Sequence, residues 1–241
     1  MAKIYSYLVF SLLALALVHS EQASTKQACK NSNFTLLGVK EMTEEVKQKL
    51  LDLHNQFREI TASGEAPAPY YGKQPPAANM LELTWNDYAA KKAYELASTC
   101  KWKHDNPTDI SGNKLGQNLA KFMSTQKTNV NKTFDEWTHN MVKGWFDEAE
   151  LYEYGSGFSK STSHYTQMVW AKTMQVGCGY SYFEEIDENN DKWFAGYLVC
   201  NYRPGGNMRG KDPYIKGNVD CESHRLQRAS GKYPHLCKKK K

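Results

Sequence analysis

Much of what this chain might do is excluded by what it lacks. None of its six cysteines forms a Cys-x-x-Cys pair, which removes zinc-ribbon and thioredoxin-like chemistry. It has no glycine-rich phosphate loop on a strand and no His-Glu-x-x-His. Tyr154-Gly155-Ser156-Gly157-Phe158 sets a serine between glycines but lacks the spacing of a hydrolase elbow, and no strand leads into it, so it reads as a flexible loop. The uncharged run from Tyr7 to Val18 is 12 residues, too short for a membrane span, and no later segment is long enough either. The formal net charge is only +5 and mixed in sign, which gives nucleic-acid binding no support. Internal repeats are absent. The one biased tract, Lys238 to Lys241, reads as a solvated tail before it reads as an anion site.

What is present points outside the cell. Met1-Ala2-Lys3, the apolar run and Val18-His19-Ser20 have the layout of a secretory signal, so residues 1–20 are expected to be removed. The rest divides into an N-terminal extension at 21–42, one domain at 43–212 and a basic, disulfide-stapled extension at 213–241. An even number of cysteines in a secreted chain implies three disulfides, with 15 connectivities open. Asn33-Phe34-Thr35 and Asn131-Lys132-Thr133 are glycosylation acceptors.

Periodicity sketches the domain. Thr43-Glu44-Glu45 starts a helix, and Val46, Leu50, Leu53, Phe57 and Ile60 give it one apolar face before Gly64 ends it. A second helix is expected from Thr84 or Trp85, with Trp85, Ala89, Ala93, Leu96 and Cys100 inward. A third is expected over 133–149, with Phe134, Trp137, Met141 and Trp145 on one stripe. Val176 to Phe183 and Trp193 to Tyr202 read as an antiparallel hairpin. Cys178 and Cys200 lie near the far ends of its strands and pair easily. Cys221 and Cys237 can staple the C-terminal extension, and elimination leaves Cys29 with Cys100. Helices first and a hairpin last give an α+β fold with a helix-covered sheet.

The residues that could carry chemistry are few. His104 follows the second helix, Glu148 closes the third, and His164 sits in Ser163-His164-Tyr165-Thr166-Gln167-Met168-Val169-Trp170. Two imidazoles and a carboxylate in one cleft would hold a divalent metal or exchange protons. Sequence spacing does not bring them together, and hydrogen-bonded structural histidines are the commoner outcome.

Four signatures nevertheless occur in order: His54-Asn55-Gln56-Phe57-Arg58, Gly116-Gln117-Asn118-Leu119, the run from His164 to Trp170, and Tyr197 to Asn207. On these the chain resembles the CAP superfamily of cysteine-rich secretory, antigen 5 and pathogenesis-related proteins. It looks most like the secreted venom-allergen-like members, including those of parasitic worms. The resemblance covers about 43–212. It implies a three-layer α-β-α sandwich around a central antiparallel sheet. It also implies a central cleft made by His104, Gln117, Glu148 and His164, with zinc or another divalent cation held by His104 and His164 and no cofactor required. Gln117 stands where an acid is usual, and a neutral amide cannot act as a base.

The resemblance further implies lipid binding. An aromatic loop that takes sterol in some members matches Tyr152, Tyr154 and Phe158, one residue shorter before Phe158. Other members hold fatty acid between two helices. The leading expectation is a secreted, non-enzymatic protein that sequesters or exports sterol or fatty acid. An interaction module acting on host or other extracellular proteins is the alternative, and metal-dependent hydrolysis stands behind both.

Overall fold

The computed structural model describes residue 29 and residues 33–229 and 231–240. The expected signal sequence and half of the extension that follows it (21–28 and 30–32) lie outside the described residues.

Each long helix begins on a side-chain cap. Helix α1 (Glu44–Ala62) opens on Thr43, whose hydroxyl accepts from the Val46 amide, with Glu44 and Glu45 in the first turn. Its exit turns on Gly64, at φ +81°, a left-handed conformation that glycine adopts without strain. Helix α2 (Asp87–Ala97) is capped by Asn86 and helix α3 (Val130–Asp147) by Asn129. A short helix, α4 (Ser163–Met168), carries His164 near its start.

The sheet has five strands in the order β1-β6-β7-β5, with β4 alongside β6. Strands β6 (Gln175–Ile186) and β7 (Lys192–Arg203) form the long hairpin. Strand β1 (Phe34–Val39) pairs antiparallel with β6, and β5 (Gly116–Ser124) pairs antiparallel with β7. Strand β4 (Thr84–Trp85) runs parallel to β6. Two small hairpins complete the set: β2 (Pro67–Ala68) with β3 (Gly72–Lys73), and β8 (Leu226–Arg228) with β9 (Cys237–Lys239).

Side-chain alternation sorts the sheet into two faces. Tyr197 and Val199 of β7 join Ala93, Leu96 and Ala97 of α2 in one cluster. Leu198, Cys200 and Tyr202 join residues of α1, α3 and α4 in the larger one. The result is the three-layer α-β-α sandwich. Helix α2 lies so close to β6 that a Cβ on Gly177 would meet Ala90 N at 2.3 Å, and one on Gly179 would meet Tyr94 N at 2.4 Å.

The disulfides are Cys29–Cys100, Cys178–Cys200 and Cys221–Cys237. Cys178 and Cys200 are direct cross-strand partners. The C-terminal extension packs back on α1: Tyr233 donates to Asp52 at 2.9 Å and His235 pairs with Glu59 at 2.6 Å.

Both boundaries of the second helix differ from the expectation. Thr84 and Trp85 are sheet residues, because the Asn86 side chain caps the helix after them. Cys100 lies beyond α2 in a left-handed turn at φ +57°. Strands β1 and β5 and helix α4 were not read from the sequence. β5 buries Asn118, Leu119 and Ala120 in succession, so it shows no alternation.

Candidate functional site

The signature residues meet in one buried hydrogen-bond network. His54 of α1 donates through Nδ1 to Leu50 O at 2.7 Å, so its Nε2 accepts the Tyr202 hydroxyl at 3.0 Å. That tautomer must be neutral, and burial, with the Arg58 charge adding to it, holds the imidazole down at about 4. Asn118 of β5 then donates to Tyr202 Oη at 3.2 Å and to His164 O at 3.1 Å.

Arg58, one turn after His54, is fully buried with no carboxylate partner among the described residues. It donates instead to the carbonyls of Leu81, Met168, Trp170 and Thr173. Burial lowers its pKa to about 9, which still leaves it charged at neutral pH. Gln167 accepts from Gly206 N at 2.8 Å, and Asn207 donates to Ser163 O at 2.8 Å. The four signatures are therefore bolted to one another.

The expected cleft residues form two dyads. His164 Nδ1 lies 2.6 Å from Glu148 Oε1, while Glu148 Oε2 accepts from the amides of His164 and Tyr165. His104 Nδ1 lies 2.9 Å from Gln117 Oε1, and Gln117 Nε2 donates to Asp105 and Asn201. The dyads belong to different layers. Gln117 faces the same way as Asn201, which donates to Ala89 O on α2, whereas its neighbour Asn118 faces α4. Edge strand β5 runs between them.

This geometry sets what each imidazole can do. Both acceptors take the Nδ1 proton, so each Nε2 is left as the basic nitrogen. An orienting acceptor on one ring nitrogen is the usual companion of a metal-ligating other. Among the described residues, however, His104, Glu148 and His164 do not bring three ligand atoms within 4.8 Å of one another. The one group that does is His54, Cys178 and Cys200, and both of its sulfurs are spent in a disulfide. The Ser163 hydroxyl donates to Lys160 O and that of Ser156 to Glu153 O, so neither is held as a nucleophile against an imidazole.

The aromatic loop is mostly packed down. Tyr152 is buried, and burial raises its phenol well above its ordinary range. Tyr154 is half-buried and donates to Tyr214 O at 2.8 Å. Phe158 alone keeps substantial exposure, at 38%. The partner of this loop is a segment that the sequence reading passed over, 208–216. Between them lies a cavity of about 400 Å³ walled by Tyr154, Trp170, Met208, Pro213, Tyr214 and Ile215. Lys172, Lys211, Lys216 and Asp212 supply its charge. A second cavity, of about 330 Å³, runs from Gly155–Phe158 to Arg209–Asp212. The available signal was the cluster Pro213-Tyr214-Ile215, an apolar triplet inside a basic stretch.

Among the described residues no helix is long and apolar enough to cross a membrane. The model of the cysteine-rich secretory protein family matches residues 51–202. Salivary antigen-5 of Triatoma infestans is 59% identical over 248 residues, covering 100% of this chain and 99% of its own length. Venom allergen 5 of Vespa velutina is 40% identical, covering 80% of this chain and 90% of its own. The crystal structure of NaASP2 with Zn2+ superposes with a TM-score of 0.60 at 31% identity, over 81% of this chain and 96% of that one.

Proposed function

Because the chain belongs to the cysteine-rich secretory protein family, we propose that it works outside the cell as a non-catalytic carrier that sequesters lipid, whether sterol or fatty acid. The observation that carries this reading is the cavity between the 152–158 loop and 208–216. Its walls are aromatic and aliphatic, and its volume of about 400 Å³ falls in the range of small-molecule sites. Tyr154 lines that cavity and Phe158 the neighbouring one of about 330 Å³, which supports these two as the ligand contacts of the loop; Tyr152 serves the core. The salivary and venom names of the relatives accord with a secreted product, as do the three disulfides. Ser156 and Ser163 both donate to backbone carbonyls rather than to an imidazole, which favours binding over hydrolysis.

A divalent cation is the second element. His104 and His164 each present an oriented imidazole with Nε2 basic, which suits zinc or a similar ion. NaASP2 is a relative crystallised with Zn2+. Two nitrogen donors, with Gln117 in place of an acid, fit an exchangeable ion better than a structural one. When bound, the ion would supply a fixed positive charge in the cleft. Glu148 and Gln117 hold the rings, and Asp105 and Asn201 hold Gln117.

Native mass spectrometry of the deglycosylated secreted protein, with bound lipids and metals identified, tests both elements. Labelled palmitate or cholesterol is expected to bind, and Tyr154→Ala to weaken it. His164→Ala is expected to lose the metal and keep the lipid. Uptake of neither lipid would end the carrier reading.

A further inference from the structure

Large apolar side chains left in water are concentrated at one end of the molecule. Of the eleven among the described residues, six are Tyr70, Tyr71, Leu151, Phe158, Met208 and Ile215. They stand on four separate segments that are stitched together beneath them. Gln74 donates to the carbonyls of Ala149 and Tyr152, joining the β2–β3 hairpin to the turn at Glu148–Leu151. Tyr214 donates to Pro75 O, and Tyr154 donates to Tyr214 O, bringing in the other two segments. The four segments that carry all six are thus adjacent.

The backbone holds these side chains outward against its own preference. Tyr70 and Tyr71 lie at φ +58° and +62°, in the left-handed region that bulky residues avoid, and their rings are fully exposed. No packing contact explains that conformation. Gly155, Gly157 and Gly210 are also left-handed, with nothing within 4 Å of where a Cβ would stand.

Cations surround these tips. Lys160, Lys172, Arg209, Lys211 and Lys216 are all exposed, and none is ion-paired among the described residues. Glu150, Glu153 and Asp212 are the acids of these segments without a cationic partner among the described residues, while Glu65 pairs with Lys73 and Glu148 with His164. The unpaired balance is positive, five against three.

We propose that this end is a docking face for an anionic phospholipid bilayer. Tyr70, Tyr71, Leu151, Phe158, Met208 and Ile215 enter the headgroup boundary while the lysines and Arg209 meet the phosphates. Tyrosine and aliphatic tips among long cations are the chemistry of an interfacial anchor. A protein partner would be better served by one contiguous patch than by prongs on four loops. Docking builds on the carrier reading for its purpose, since the cavity lies among the same segments and a ligand could pass from bilayer to protein without crossing water. Its geometry stands independently.

The test is co-sedimentation of the full secreted chain with vesicles of phosphatidylcholine, alone or with about a third phosphatidylserine. Binding to the anionic vesicles, weakening as salt is added, is expected. Lys211→Ser with Lys216→Ser should weaken it about 30-fold, from the surface attraction of two cations. Tyr70→Gly with Tyr71→Gly suits the left-handed backbone, so the fold is kept while the rings are lost; at least a tenfold loss is expected. Failure of the wild-type chain to sediment with anionic vesicles, or equal sedimentation by both variants, overturns docking. Calorimetry with monomeric dodecanoate, which needs no bilayer, separates the two readings. Dodecanoate uptake without vesicle binding overturns docking alone. Vesicle binding without dodecanoate uptake supports docking and removes fatty acid, but not sterol, as the cargo.

Discussion

Acidification from pH 7 to pH 4 should remove roughly 3 kcal/mol of stability through one side chain, His54. The imidazole is fully buried and its pKa falls from 6.5 to about 4, first because burial disfavours the cation and then because Arg58 is charged nearby. The Leu50 carbonyl opposes both by accepting the Nδ1 proton. An unfolded chain takes up a proton near 6.5, whereas the folded chain resists until about 4. Between those values the unfolded state holds more protons. Stability is therefore fully present above 6.5 and is lost as the pH falls toward 4. The slope approaches one proton, about 1.4 kcal/mol per pH unit.

Protonation would also set an Nε2 proton against the Tyr202 hydroxyl, which now donates to it. Urea unfolding followed by tryptophan fluorescence at several pH values from 7 to 4.5 measures the slope. His54→Gln removes the titration, so its curve should flatten in this window even though its stability at pH 7 is lower. Asp109 does not interfere. Hydrogen bonds led by the Asn113 amide, with Arg203 adding to them, hold its carboxyl near 2, so its contribution is lost only below the ordinary range near 3.8. Parallel curves for wild type and His54→Gln would refute the account of His54 as a buried neutral histidine.

Two further substitutions probe the frame around the site. Arg58→Met takes the guanidinium donor from the buried carbonyls of Leu81, Met168 and Thr173, while Trp170 O keeps the Thr173 amide, and should cost about 3 kcal/mol or more, read as a large fall in melting temperature. A loss under about 1 kcal/mol would mean that water replaces the guanidinium. Gly179→Ala puts a Cβ 2.4 Å from Tyr94 N and should push α2 off the sheet at a cost above about 2 kcal/mol, whereas Gly144→Ala, with nothing within 4 Å on α3, should leave the melting temperature unchanged or raised.

The helices and the long hairpin were legible because single apolar stripes and aromatic runs decide them. Leu50, Phe57, Phe134, Met141 and Trp145 are buried where the periodicity puts them. Strand β5 was not legible, since its residues answer to partners distant in sequence: Asn118 to Tyr202 and His164, Gln117 to His104, Asp105 and Asn201. For the same reason the cleft could be named by resemblance but not drawn. Gln117 and Asn118 are adjacent in sequence and face opposite layers, so a cleft that spans the sheet edge has no signature in spacing. The loop at 152–158 is the opposite case. Its aromatics are conspicuous, yet Tyr152 belongs to the core and most of the cavity wall comes from 208–216.

The four signatures carry the strongest sequence signal, yet apart from His164 and Trp170 they are largely committed to one another. His54, Arg58, Asn118, Gln167, Tyr202 and Asn207 spend their polar atoms on one another or on backbone groups. Such a fully satisfied network rigidifies what it joins and is costly to break. It clamps α1, α4, β5 and β7, and the clamp positions what hangs from it. His164 rides on α4, His104 is held from β5 through Gln117, and Trp170, just past α4, forms one wall of the cavity. Recognition is then left to groups that the clamp does not consume: two basic Nε2 atoms and the loop ends. Change in the loops at 67–73, 152–158 and 208–216 can alter the ligand without touching the clamp, so relatives with the same signatures need not share a ligand.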